Sequence, residues 1–427
     1  MSAHVSPHLS QRQLVLVFLA FAFAFFLSSL LRAITATLSP SLTREFSLSA
    51  QDLGLLAGAY FLGFALTQWP LGRWLDRYGP KRVILSFLTI AVAGCVAFSR
   101  ADSFHALVWA RVLCGVGVSA CLMAPLTAYR RWFDTHTQLR ANSWMLMTGA
   151  TGMLAATLPV QWLMPIWGWR PLFVMLGGLV LTAMALVALV VPTWQHHTRQ
   201  TEQTAQRPGD DGSYRVIWRS PYFWRVVPIG FFCHGGMVAI QTLWAGQWMT
   251  QVAGWSDTEA ASGLFVINLG MLISFWLWGL ITPHLATSGI RIETLISGCL
   301  PLSLVTLAAM AWHGSAIGSG AAAALTLFCV GSSVVSLVQP AVGLTFPAHL
   351  AGRALSAYNL VILTGIFCVQ WGIGLAVDAG EALGWTSIAS YQLALAGLTV
   401  CTLLSWLYFV LRPTQQVCEP KAMSPWP

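Results

Sequence analysis

Long apolar runs alternate with short polar intervals along the whole chain. Twelve runs can be cut, at about 14–38, 53–72, 82–99, 105–127, 141–163, 171–192, 223–249, 260–282, 292–312, 316–340, 354–377 and 388–411. A helix that crosses a bilayer needs about 20 apolar residues. The pattern therefore predicts an all-α membrane protein with twelve transmembrane helices. Only Arg12 precedes the first run, and no small-residue cleavage site follows it, so the run reads as a retained helix. The longest polar interval, Thr193 to Pro221, is rich in Gln, Thr, Asp and Gly, and it has no apolar period. It reads as a cytoplasmic linker, 193–221, between an N-terminal six-helix bundle (1–192) and a C-terminal one (222–427).

Composition narrows the class. Hydrophobic residues make up 56% of the 427 and charged residues only 8%, against about 25% charged in soluble domains. The solvent for such a surface is lipid. The net charge of +8 does not point to nucleic acid, because the basic residues sit in short intervals between apolar runs. With the N-terminus inside, seventeen Lys and Arg fall on the cytoplasmic side; Arg44, Arg100 and Arg170 fall outside; Arg32 and Arg111 lie within runs. That asymmetry predicts both termini in the cytoplasm. Arg-dominated loops and short tails fit a bacterial inner membrane. Eight of the nine cysteines lie in apolar runs with no zinc-ligand spacing, so neither metal nor cofactor is expected. No carboxylate pair, His cluster or phosphate-binding loop suggests an enzyme; His196-His197 stand alone in the linker.

A repeat supports the six-and-six division. Phe133, His136, Arg140 and Ala141 follow the fourth run; Phe346, His349, Arg353 and Ala354 follow the tenth at the same spacing, offset by 213 residues. Both segments fall on one face of the membrane, which predicts parallel repeats.

The interval from Leu71 to Arg82 holds five charges: Arg73, Asp76, Arg77, Lys81 and Arg82. Gly72, Asp76, Arg77, Gly79, Lys81 and Arg82 resemble the loop between the second and third helices of major facilitator superfamily transporters, with Pro80 where a basic residue is usual. Arg111 with Gly115 and Gly117 is similar to that superfamily's fourth-helix motif. The resemblance implies the major facilitator fold, alternating access between two halves, and gating roles for the loop. Gly72 would let helices approach closely, Gly79 would permit a tight turn, and Asp76 would meet an arginine or a helix N-terminus. Arg111 either bonds carbonyls of the first helix or handles substrate or protons.

Candidate binding residues follow from polar groups in apolar runs, which need partners. Arg32 lies deep in the first run, and no carboxylate lies inside any run to pair with it. Its partner is then a substrate anion, or Glu45, Asp52 or backbone. His234, Gln241 and Trp248 recur every seven residues in the seventh run, with Trp244 and Gln247 between. That spacing predicts one helical face. His234 is also a candidate proton carrier. Ser333 and Ser336 lie in the tenth run, and Asn359 and Gln370, eleven apart, in the eleventh. Lining by helices one, four, seven and ten, which the resemblance implies, favours Arg32, His234, Gln241, Ser333 and Ser336. The expected function is secondary transport of a small organic anion, with proton or other ion coupling, by a monomer in the bilayer. The alternative is an efflux transporter for drugs, metabolites or siderophores. The fifth run lacks the Gly- and Pro-rich pattern of many drug–proton antiporters, and no buried carboxylate awaits a cationic drug.

Overall fold

The computed structural model describes residues 10–193 and 211–412, and their regular structure is helical throughout. Residues 194–210, with Arg199, Arg207 and His196-His197, lie outside the described residues, as does Lys421. Helix α1 is Gln11–Phe46. The stretch Ala50–Ser99 contains α2 (50–78) and α3 (80–99), folded back at Gly79, where φ is 78° and ψ 159°. A side chain would be strained there, which is why the turn falls on a glycine. Helix α4 is Phe104–Arg130. Helix α5 runs over Thr135–Ala155 and resumes as Leu158–Trp167. Then come α6 (Trp169–Val190), α7 (Pro221–Gln251) and α8 (Asp257–Thr287). Helices α9 (Ile292–His313) and α10 (321–345) are joined across Gly314 and Gly318, both at positive φ. Helices α11 (Ala348–Ala382) and α12 (Ser387–Leu411) close the chain.

Nine helices among the described residues are long and apolar enough to cross a membrane. Two of these are folded-back pairs, and broken α5 adds one pass, consistent with the twelve passes read from the pattern. Large apolar side chains such as Trp109, Leu189, Trp312 and Leu344 point outward. That is the surface a hydrocarbon solvent permits and water does not. The repeat has a structural counterpart. Phe133 ends α4 and Phe346 ends α10 in the same extended conformation (φ −105°, ψ 142° and φ −94°, ψ 148°), and Ala141 and Ala354 are both buried in the following helix.

The face of the bundle with the Gly79 turn is called the loop face here, and the opposite one the far face. Part of the polar interval is helical: Asp211–Arg219 lies at the loop face. Its Ile217 is buried, Tyr214 stands 5.6 Å from the Trp69 ring of α2, and Trp218 packs on Phe223 and Trp224 of α7.

The first six helices meet the last six along α2–α11, α1–α7 and α5–α8. A methyl group on Gly54 would collide with the Gln370 carbonyl oxygen, and one on Gly374 with that of Ala50. Only glycine allows that crossing. Polar ties between the two sets gather at the far face. Arg44 pairs with Asp257 at 2.9 Å, Gln247 Nε2 donates to Ser39 Oγ at 2.8 Å, and the Asp378 carboxylate accepts from the Ala50 and Gln51 amides, each at 3.0 Å. Asp378 thereby caps the N-terminus of α2 from the other set of helices, where a negative charge also suits the helix dipole. Asp378→Ala removes both acceptors. A loss of about 1–2 kcal/mol is expected, read as roughly tenfold faster hydrogen exchange at the Ala50 and Gln51 amides.

Candidate functional site

The centre of the bundle is built around Tyr60. Helix α4 approaches α2 so closely that a methyl on Gly115 would collide with the Tyr60 carbonyl oxygen. This crossing sets the Arg111 guanidinium over the Tyr60 ring, 5.1 Å from its centroid. Arg111 is fully buried, and its Nη1 donates to the Leu31 carbonyl of α1 at 2.9 Å, while Nε and Nη2 have no protein partner. The Tyr60 hydroxyl donates to the Ser28 carbonyl at 3.0 Å, and the Arg32 guanidinium lies close enough to act on the same hydroxyl. Tyr60 is thus bracketed by two cations, Arg111 at the ring and Arg32 at the oxygen.

No carboxylate compensates them among the described residues. Glu45 is engaged at the far face by Arg170 and by the Trp169 indole, which donates to it at 2.7 Å. Asp52 caps its own helix through Ser49. Arg32, half-buried, therefore takes neither of the carboxylates that the sequence offered it. Two guanidinium charges in low dielectric without a counter-charge make a strongly positive centre.

Helix α7 brings His234 to this centre. Arg32 acts electrostatically on His234, and helix register explains why. Helices α1 and α7 run side by side in one direction, paired by Ser39 and Gln247. Carrying that offset along the pair sets Ser28 level with Gly236, two residues from His234. Helical side chains lean toward the N-terminus, so the head of Arg32 descends to the depth of Ser28 and the Tyr60 hydroxyl. The His234 Nδ1 is buried with no partner.

Several sequence-predicted residues lie elsewhere. Helix α7 contains two π-helical segments, Ile229–His234 and Ile240–Trp244. Their wider turns break the seven-residue spacing that was to align His234, Gln241 and Trp248 on one face. Gln241 is buried and donates to Asn268 of α8 at 3.0 Å. Trp244 is buried and donates to the Gln370 carbonyl at 3.1 Å. Gln370, fully buried, donates to Thr242 at 2.9 Å. Ser333 accepts from the Trp278 indole at 2.8 Å, and Ser336 donates to the Ser333 carbonyl. Apart from the Ser336 bond, which stays within α10, these bonds join helices of the last six to one another. Asn359 donates to Gln68 of α2 at 2.8 Å and so bridges the two sets. Of the predicted binding residues, Arg32 and His234 come near one another beside Tyr60, and Trp244 and Gln370 meet between α7 and α11. Tyr60 was missed; a tyrosine in an otherwise apolar run was the available signal, since its hydroxyl needs a partner there.

Among the gating candidates, Gly79 makes the turn that its type suggested. Gly72 does not serve a close approach: a methyl there would meet nothing within 4 Å, because the site faces open space. Asp76, Arg77 and Arg82 are exposed and Lys81 is half-buried. Arg130, at the end of α4, is the cation acting on Asp76, and Arg77 lies over the Tyr78 ring, 5.4 Å from its centroid.

Comparison with known proteins gives the same frame. The family profile of the Major Facilitator Superfamily matches residues 21–368. A rice protein (Oryza sativa subsp. japonica) described as probable anion transporter 1, chloroplastic, is 26% identical over 333 residues, covering 74% of this chain and 61% of that one. The chain thus spans less than two thirds of that relative's length. The hexuronate transporter of Escherichia coli (strain K12) is 24% identical over 346 residues, covering 77% of this chain and 78% of the relative. The structure of a bacterial homolog of the human lysosomal transporter Spinster, inward-facing and unoccupied, superposes with a TM-score of 0.74 at 17% identity, covering 94% of this chain and 97% of that one.

Proposed function

Because the chain belongs to the Major Facilitator Superfamily, we propose that it carries a small organic anion by alternating access, with Arg32 as the cation that binds the substrate. One observation carries the reading: Arg32 and Arg111 flank Tyr60 at the centre of the bundle, with no carboxylate among the described residues to neutralise them. Arg111 is fully buried. Arg32 is only partly buried and is therefore the group that an anion can reach. The anion and hexuronate transporters among the relatives support the same class.

In this reading the first six and last six helices are two bundles, 1–192 and 222–427, that rock about the site as a monomer. The loop face is cytoplasmic in a bacterial inner membrane, an orientation that the distribution of Arg and Lys supports. The ties at the far face then close the outer side. The direction is uptake, and an ion gradient drives it.

Thermal unfolding of the purified protein with glucuronate, benzoate or tetraphenylphosphonium tests the reading. The carboxylates are expected to raise the melting temperature, since a ligand at a hundredfold its Kd stabilises by about 2.7 kcal/mol. The cation is expected to do nothing. Stabilisation by the cation alone would overturn anion transport and favour efflux.

A further inference from the structure

We propose that His234 is the proton-coupling residue of this transporter and that its proton and the substrate anion are held at one place, where α7 faces Arg32 of α1. The inference rests on the anion reading of Arg32 and adds the coupling ion and its carrier.

The surroundings of His234 are the starting point. The titratable and charged side chains on the elements packed around its turn are few. Arg32 comes from α1, with Tyr60 of α2 at its head. Tyr358 of α11 packs on Gly230, one turn below His234. Cys233 is its neighbour on α7 and donates to the Thr402 carbonyl of α12. Arg225 lies further down α7, bonded to the Phe409 carbonyl. Helix α12 adds Cys401, and the facing part of α10, Ser333–Leu337, offers only hydroxyls. No acid among the described residues stands beside His234 to hold a proton on it.

A proton on His234 would therefore put a second positive charge beside Arg32. In an empty, low-dielectric site that is costly. A carboxylate lying between the two side chains changes the sign of the balance, because it attracts both. The anion then favours the protonated imidazole, and the protonated imidazole favours the anion, by the same factor. The proton comes from water on the side to which the cavity is open and goes to a ring nitrogen of His234. The Nδ1, buried without a protein partner, is a nitrogen that loses no existing bond by receiving it. Release of the anion on the other side leaves two cations facing one another, and the proton departs with it. One proton moves with one anion, with no carboxylate of the protein in the relay.

The π-helical turn fits this role. His234 is the last residue of the segment Ile229–His234, and such widened turns recur at functional sites in helices. Helix α7 at this point also lies against α11 so closely that a methyl on Gly235 would touch the Gly365 backbone. That contact holds this turn of α7 within the last six helices, while Arg32 reaches it from α1 of the first six.

The test uses the full chain, purified, with glucuronate as the probe, because its own carboxyl stays ionised throughout the range in which imidazole titrates. In weakly buffered solution with a pH-sensitive dye, glucuronate is expected to draw protons from the medium on binding to the wild type. Its affinity is expected to fall about tenfold for each unit of rising pH where one proton is taken up per anion. In His234→Gln the proton uptake is expected to vanish and the affinity to become flat with pH. An unchanged melting temperature without ligand shows that the variant is folded, and its glucuronate affinity is expected to equal the weaker value that the wild type reaches at high pH, where His234 is neutral; His234→Asn serves as a second variant with the same expectation. Proton uptake that survives in both variants, or glucuronate binding to the wild type without uptake, would overturn the assignment. Absence of glucuronate binding from every protein, wild type included, would overturn the anion reading and this inference with it.

Discussion

Arg32→Gln is expected to fold as well as the wild type and to lose anion recognition. Arg32 has no carboxylate partner among the described residues, so removing its charge breaks no ion pair and relieves repulsion with Arg111 across Tyr60. Its melting temperature without ligand should match that of the wild type or exceed it. A hydrogen bond to a charged group contributes about 1.5–3 kcal/mol, and each 1.4 kcal/mol is tenfold in affinity. Carboxylate affinity should therefore fall by about 10- to 100-fold, read by loss of ligand-induced thermal stabilisation. Lysine would restore charge but not the planar fork that a guanidinium offers a carboxylate. Arg32→Lys should recover part of the affinity only. If Arg32→Gln unfolds at much lower temperature, its role is structural, and the site lies elsewhere.

The second large effect is expected where α2 crosses α11. Gly54 and Gly374 each lie against a carbonyl oxygen of the opposite helix, that of Gln370 and that of Ala50, with no room for a methyl group between. Both contacts are with backbone, which cannot swing aside as a side chain can. Gly54→Ala and Gly374→Ala should each force the helices apart at the far face, against the ties made there by Asp378, Arg44 and Gln247. Overpacking costs about 1–3 kcal/mol, which shifts a two-state equilibrium about 5- to 150-fold. Spin-label distances between the far-face ends of α1 and α7 should lengthen in both variants, and the double variant should remain open. Unchanged distances would show that the crossing does not control closure.

The pattern of apolar and polar positions located the membrane helices well, because length and hydropathy alone decide whether a segment can span a bilayer. The turn at Gly79 was also legible, since only a glycine sits easily at its φ. The site was legible in part. Arg32 stood out because a cation in an apolar run is costly anywhere. Gln241, Gln370 and Ser333 each bond a neighbouring helix, which their sequence could not reveal: in hydrocarbon, a polar side chain that binds a neighbouring helix and one that binds a ligand look the same in sequence. Their partners, Asn268, Thr242 and Trp278, were distant in the chain. Tyr60 was hidden by its size and apolar ring. Its importance lies in what stands on either side of it, and no local pattern encodes that.

The widened turns of α7 have a consequence for how this helix can be compared across its relatives. Each π-turn holds one residue more than an α-turn, and one residue is about 100° of rotation. A chain that gained a single codon within Ile229–His234 or Ile240–Trp244 could keep a continuous helix and yet turn everything beyond that point toward new neighbours. Equal spacing between two residues of α7 therefore does not mean equal facing, and an ungapped alignment through it pairs residues that look in different directions. Lineages of this fold can vary what one helix presents to the cavity by insertion, without replacing any of the side chains that it already carries.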